Sequence, residues 1–256
     1  MRIGTWNLRR YPTSASEKAP DVMTFLEKQV ADLWLFTEVN EAWPSTGGTL
    51  TVSPERRYGR PQDRWAGVWV RQPATAVRVP DEDEEGPVAA EEALCLTRIT
   101  LPSGSPRPTL LVACSVLPWS GAGRDWPGLP SPRFDDQATF VLDHHLARIE
   151  RARNGDEPII WGGDFNQELR RPSAARSQAG HRLAGTVNGI ARLQTAFDRL
   201  ELRALSAPAS EDAEAIDHLA LSCSLLTAAD LEVHRPQRRD GRPVSDHAAY
   251  LAHLPD

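Results

Sequence analysis

The chain has 256 residues, is 40% hydrophobic and carries a formal net charge of −6, enough apolar material for one sizeable core in a single α/β domain over residues 1–256. Of its 29 cationic residues only Lys18 and Lys28 are lysines; the rest are arginines, which suit bidentate contact with phosphate. The negative balance argues against a surface coated for tight non-specific nucleic-acid binding, but allows a local arginine patch that steers a phosphate substrate.

In chain order, Arg2 to Leu8 reads as a short strand with Asn7 at its carboxyl end. Asp21 to Ala31, after Pro20, spaces Val22, Phe25, Leu26 and Val30 along one helix face. Asp32 to Val39 is a second strand ending at Glu38. A carboxylate there, opposite Asn7 if the two strands are neighbours, suits a hard divalent cation that needs oxygen ligands with room for water and substrate. Residues 49–53, 65–71, 93–101 and 109–115 are further strands, rich in Val, Leu, Ile, Thr and Trp and separated by Pro and Gly. The five acids Asp81 to Glu85 form a run of like charge, which predicts a solvated loop rather than a metal site built from converging elements. The segment Ser120 to Pro132 is rich in Gly, Pro and Trp; with Trp119, Arg124 and Trp126 it is a candidate rim for a substrate.

Phe134 to Arg153 is the clearest helix, with Phe134, Ala138, Val141, Leu142, Leu146 and Ile149 on one stripe. It contains Asp143-His144-His145, but successive helical residues diverge by about 100°, so these three cannot converge on one metal. The run from Ile159 to Gln167 follows Pro158 as a buried strand ending in two glycines. Its alternation sends Asp164 and Asn166 to one face and Phe165 into the packing. Gly-Gly-Asp and Asn are also ordinary turn residues. Arg170, Arg171, Arg176, His181 and Arg182 lie among Pro, Ser, Ala and Gly, as either a solvated linker or an arginine-rich lip over phosphate. Ile190 to Leu202 is a second long helix packing Leu193, Phe197 and Leu200 inward. Ile216 to Ser222 is a strand carrying Asp217, with His218 on its packing face. A short strand from Leu231 to His234 precedes the arginine-rich turn 235–242, which presents Ser245-Asp246-His247.

Cys95, Cys114 and Cys223 are widely spaced in apolar runs and read as core thiols, not as a disulfide framework or a zinc site. With no leader-like opening and no run near the roughly 18 apolar residues of a membrane span, a soluble cytoplasmic protein is expected.

Asn7, Glu38, Asp164, Asn166, Asp217, Asp246 and His247, in that order, carry a resemblance; Gly163-Asp164-Phe165-Asn166 and Ser245-Asp246-His247 are its most specific pieces. From Arg2 to about Tyr250 the chain resembles the endonuclease/exonuclease/phosphatase superfamily, the deoxyribonuclease-I-like metal-dependent phosphoesterases. That resemblance implies a four-layer α/β/β/α sandwich of two mixed sheets with the site at one end, and hydrolysis of a phosphate ester. It implies that Glu38 and Asp246, with Asn7, hold one or two Mg²⁺ or Mn²⁺ ions. Asp164 would orient or deprotonate the attacking water, Asn166 would hold that water or a phosphoryl oxygen, and Asp217 would pair with His247, which stabilises the developing charge. Trp119, Arg124, Arg170, Arg171 and His181 are candidate substrate contacts. One position departs from the family pattern: where members carry a His, or a Tyr in the abasic-site endonuclease branch, this chain has Val116, which neither donates a proton nor binds an oxygen. The expected substrate is nucleic acid. A phosphorylated small molecule or lipid headgroup is the alternative, a non-catalytic phosphate-binding module the third, and no obligate protein partner is expected.

Overall fold

The computed structural model describes the chain except for residues 10–11, 14, 44–46, 57–58, 81–88, 106–107, 123–125, 127, 130, 132, 171–182, 207–214, 227–229 and 255–256. The acidic run, Arg124, Arg171 and His181 therefore lie outside the described residues. Two central strands set the first sheet: β1 (Arg2–Asn7) and β2 (Leu33–Asn40) run parallel, with Ile3 opposite Leu33 and Asn7 opposite Thr37. Both are buried on both faces, the pattern of strands covered from two sides. The connection between them is α1 (Ala19–Gln29), which starts with a proline in its first turn and stops at Val30 in a left-handed cap. Val30 is therefore not on the buried helix face, as its spacing predicts, but 56% exposed. β3 (Gly48–Val52), β4 (Asp63–Arg71), β11 (Asp230–His234) and β12 (Ala249–His253) complete a mixed sheet of order β11-β12-β1-β2-β4-β3.

The second sheet repeats this plan. β7 (Thr109–Val116) and β8 (Ile159–Asp164) are parallel and central. They are flanked by β5 (Thr75–Arg78), β6 (Leu94–Thr100), β9 (Leu202–Ala204) and β10 (Asp217–Ser222), in the order β5-β6-β7-β8-β10-β9. β5 is a four-residue edge strand too short to stand out in the sequence. The crossover from β7 to β8 is α2 (Phe134–Ala152), with Asp135 and Asp136 in the first turn where the helix dipole favours acids.

Leu35, Val68, Val112, Cys114, Ile160 and Leu219 belong to the core buried between the sheets. Trp6, Trp34 and Phe36 pack with α1 outside the first sheet. Trp161 and Leu111 pack with α2 and α3 (Val187–Arg199) outside the second. The result is a four-layer α/β/β/α sandwich of two mixed six-stranded sheets. Each fully buried Leu, Ile or Val contributes about 1.5–3 kcal/mol by leaving water.

Two predicted boundaries shift for local reasons. α3 begins at Val187, three residues before the predicted start at Ile190, because the Thr186 hydroxyl accepts from Gly189 N at 2.9 Å and caps it there, and Leu202 belongs to β9. Cys223, expected in the core, is exposed in a 3₁₀ turn just past β10; Cys95 and Cys114 are buried. Among the described residues no helix is long and apolar enough to cross a membrane.

Candidate active site

At one end of the sandwich the carboxyl ends of β1, β2, β7 and β8 meet the start of β10. The approach depends on Gly163, which has φ +132° and lies opposite Ser115 on β7; a Cβ there would stand 2.1 Å from the Ser115 carbonyl oxygen. With that spacing, β8 ends at Asp164 with Asp217 of β10 directly opposite. Phe165 turns into the core, 1% exposed, against Phe197 and Trp161. Asn166 then takes a left-handed conformation (φ 49°), its backbone N donating to Asp164 Oδ1 at 3.0 Å and its side-chain amide to Leu117 O at 2.9 Å. Asn tolerates that region better than most residues.

Asn7 joins the two sheets. Its Nδ2 donates to Asp164 Oδ2 at 3.0 Å and toward Glu38 Oε1 at 3.3 Å, while its Oδ1 accepts from Arg9 N at 2.7 Å. Its amide therefore holds two carboxylates in place, and its oxygen is engaged by the backbone. Glu38 has a positive φ of 52°, an uncommon conformation for a non-glycine residue inside a strand. The Ser245-Asp246-His247 loop is pinned to β1: the Ser245 hydroxyl donates to Asn7 O at 2.8 Å and accepts from His247 N at 3.2 Å, while the Trp6 indole donates to His247 O at 3.3 Å. His247 Nδ1 thereby meets Asp217 Oδ2 at 2.6 Å. Asp217 Oδ1 is buried without a hydrogen-bond partner. Asp246 is exposed and pairs with Arg9 at 3.2 Å.

Single donor atoms of Asp164, Asp217 and His247 lie within 4.8 Å of one another. Burial first, then the Asp217 charge, pushes Asp164 up to about 7, against the lowering effects of His247, Asn166 N and Asn7. Asp217 is raised by burial, with His247 opposing. For His247 burial works against the charged ring, yet the charge and hydrogen bond of Asp217, helped by Asp164 and Asp246, lift it to about 10. The Asp217 partner thus favours the charged form of the ring, while burial holds the Asp164 carboxyl above the ordinary carboxylate range.

A cavity of about 350 Å³ opens here, lined by Glu38, Arg56, Trp65, Val116, Trp119, Asp164, Asn166 and His247. Its floor is polar, and one wall is aromatic. Trp65 stacks on Trp126 at 5.2 Å, and Trp119 lies 5.8 Å from Trp65. Trp126, a candidate rim residue in the sequence, is buried packing whose indole donates to Ala89 O at 2.9 Å.

Asp164, Asn166, Asp217 and His247 are thus brought together with Asn7 and Glu38; Asp246 borders them on the exposed side, and Trp119 lines the cavity. Arg170 is exposed and does not line it. Arg238, Arg239 and Arg242 of the 235–242 turn pair with Glu17, Asp21 and Asp240. Within Asp143-His144-His145, His144 bonds Glu91 and His145 bonds Ala90 O, so the triplet diverges. His218 is core, bonded to Gln167 O and Ser206. Arg56 and Trp65 were missed by sequence reasoning: Trp65 looks like any strand tryptophan, and Arg56 lies in an irregular link with no local signal.

A profile described as the Endonuclease/Exonuclease/phosphatase family matches residues 4–247. No curated protein matches the chain by sequence. Among solved structures, an AP endonuclease from Archaeoglobus fulgidus is similar with a TM-score of 0.68 and 13% identity, covering 100% of both chains. The AP endonuclease LMAP from Leishmania major gives 0.65 and 17%, covering 100% of this chain and 87% of that one. The endonuclease domain of TRAS1, a telomere-specific non-LTR retrotransposon, gives 0.60 and 13%, covering 99% and 97%. At these identities the likeness is one of fold.

Proposed function

We propose, from the premise that this chain belongs to the Endonuclease/Exonuclease/phosphatase family, that it is a divalent-metal-dependent phosphodiesterase acting on nucleic acid. The observation that carries this reading is one cavity lined by the carboxylate of Asp164 and the ring of His247, whose Nδ1 meets Asp217 Oδ2 at 2.6 Å. The similar folds titled as endonucleases support nucleic acid as the substrate class.

The residues fit a hard cation. The ligand groups that Glu38 and Asp246 offer are carboxylate oxygens, the donor type a hard cation takes. Glu38 and Asp246 would hold Mg²⁺ or Mn²⁺, with Asn7 fixing Glu38 rather than offering its own engaged oxygen. When bound, the ion would polarise the phosphoryl group. Asp164, fixed at both oxygens by Asn7 and Asn166 N, orients the water and takes its proton. His247 places positive charge where the pentavalent phosphorus builds up negative charge, and Asp217 holds the ring in that state.

A second reading, a phosphodiesterase on a small molecule, draws support from a specific feature: three arginines of the 235–242 turn are paired with acids, which offsets part of the positive charge along that rim. The test is a panel of single-stranded DNA, duplex DNA, RNA, inositol phosphates and a chromogenic phosphodiester, assayed with Mg²⁺ and Mn²⁺, with Asp164→Asn as the blank. Cleavage of either nucleic acid supports the first reading, and cleavage of only small esters supports the second. Absence of hydrolysis throughout would refute both.

A further inference from the structure

Val116 ends β7 opposite Asp164, 3% exposed, and contributes only methyl groups to the cavity. At that strand end Val116 itself supplies no polar side-chain atom to meet charge on a departing oxygen. The same cavity does contain a permanent cation. Arg56 lines it, with its guanidinium carbon 3.7 Å from the centre of the Trp65 ring. Trp65 is 5% exposed and stacks on Trp126, itself 2% exposed and tied to the chain at Ala89 O. An arginine placed on a buried two-indole stack is pre-oriented: the cation–π contact fixes the plane of the guanidinium, and with it the plane in which its N–H donors lie. Among the described residues that line the cavity, Arg56 and His247 are the cationic side chains.

We infer that Arg56 is a substrate-contacting residue that binds the scissile phosphate and its departing oxygen on the Val116 side of the cavity, held there by the Trp65–Trp126 stack. This inference rests on the phosphodiesterase reading above. In the step it serves, the oxygen–phosphorus bond from water forms and the water's proton passes to Asp164. The bond from phosphorus to the departing oxygen breaks, and its electron pair stays on that oxygen. A guanidinium stabilises that charge but cannot give up a proton at neutral pH, so the departing oxygen is protonated by solvent. The site should therefore favour esters whose departing oxygen carries negative charge well, and Arg56 should matter more as that oxygen becomes more basic.

The experiment compares wild type, Arg56→Ala and Arg56→Lys on a series of aryl and alkyl phosphodiesters, with and without added guanidinium chloride below denaturing levels. Arg56→Ala should lose roughly a hundredfold in kcat/KM, the scale for removing one charge-stabilising donor. Free guanidinium should restore at least about tenfold of that, and the loss should grow with leaving-group basicity. Arg56→Lys, lacking the planar fork, should recover only part. The Mg²⁺ concentration for half-maximal rate and the melting temperature should stay at wild-type values. Binding of a nucleoside 5′-monophosphate, read by tryptophan fluorescence, provides a readout without turnover and should weaken in Arg56→Ala. Unchanged kcat/KM and unchanged binding in Arg56→Ala would overturn the inference, as would a loss that guanidinium does not rescue in a destabilised protein. An inactive wild type would refute the phosphodiesterase reading alone, because the binding arm still decides whether Arg56 contacts phosphate.

Discussion

Asp164→Asn should separate stability from activity, because the same burial that tunes Asp164 works against its charged form. The carboxyl rises from 3.8 to about 7 in the folded protein, through burial and then the Asp217 charge. A carboxyl raised on folding contributes stability that is fully present below its unfolded value, and loses it as pH rises toward the folded one. Between about pH 5 and pH 8 that loss is on the order of 2–3 kcal/mol. Replacement by Asn removes this pH dependence. It also introduces a fixed penalty: Asp164 accepts from both Asn166 N and Asn7 Nδ2, and an amide has one acceptor oxygen, so a donor faces a donor at a cost of about 1–3 kcal/mol. The fixed penalty cancels when variant and wild type are compared across pH. In chelator, the melting temperature of the variant relative to wild type should therefore climb by roughly 5–8 °C from about pH 5 to pH 8, at about 2–4 °C per kcal/mol for a chain of this size. Turnover with Mg²⁺ should fall at least about a hundredfold. A melting-temperature difference that stays flat across that range would refute the assignment of Asp164 as a carboxyl destabilised by burial.

Other outcomes follow from the same geometry. Excess chelator should abolish hydrolysis and added Mg²⁺ restore it, since the cavity presents oxygen donors; full activity in chelator would place the chemistry elsewhere. His247→Ala should lower kcat at least about a hundredfold. With His247 lifted to about 10 by Asp217 against the effect of burial, wild-type kcat/KM should keep an imidazolium-dependent plateau well above pH 7, and a limb near the ordinary histidine value would contradict that pairing. Val116→His should raise kcat/KM for an alkyl phosphodiester more than for an aryl one, if the ring fits without overpacking against Trp119; an unchanged ratio in folded protein would mean that position 116 has no part in departure of the leaving group. Because Arg238, Arg239 and Arg242 are paired with acids, DNA affinity should fall only shallowly with salt, with a slope of about one or two phosphates, and a slope several times larger would show that these pairs open for the substrate.

What the sequence made legible was whatever local pattern enforces. An apolar run ending in Gly-Gly-Asp has few folds available to it, and the close approach at Gly163 that brings Asp164 opposite Asp217 is already implied by a residue without a Cβ. The order of the motifs carried the rest, since Asn7, Glu38, Asp217 and His247 come together only once β1, β2 and β10 take their places. Less visible were features that depend on what lies across the cavity. Val30 keeps helical spacing but falls on the left-handed cap, and Cys223 follows an apolar strand but leaves it in a 3₁₀ turn. Local pattern specifies neither ending. The arginines show the same limit at the site itself. Those clustered in 235–242 attract notice as a patch, yet Arg238, Arg239 and Arg242 lie beside acids from the same turn or from residues 17–21.

Among the described residues that line the cavity Arg56 is the one arginine, and its position follows from contacts distant in sequence: Trp65 nine residues on, Trp126 beyond three further strands, and the Ala89 carbonyl that fixes Trp126. A vacancy such as Val116 can be seen in a sequence because a family pattern makes its absence conspicuous. The group that faces the vacancy need not come from the same strand, or even from the same sheet. The candidate proposed here, Arg56, comes from the link between β3 and β4 in the first sheet, while Val116 ends β7 in the second. The site is shared across the interface between the two sheets, so a role that one sheet leaves open at position 116 is within the reach of residues presented from the other.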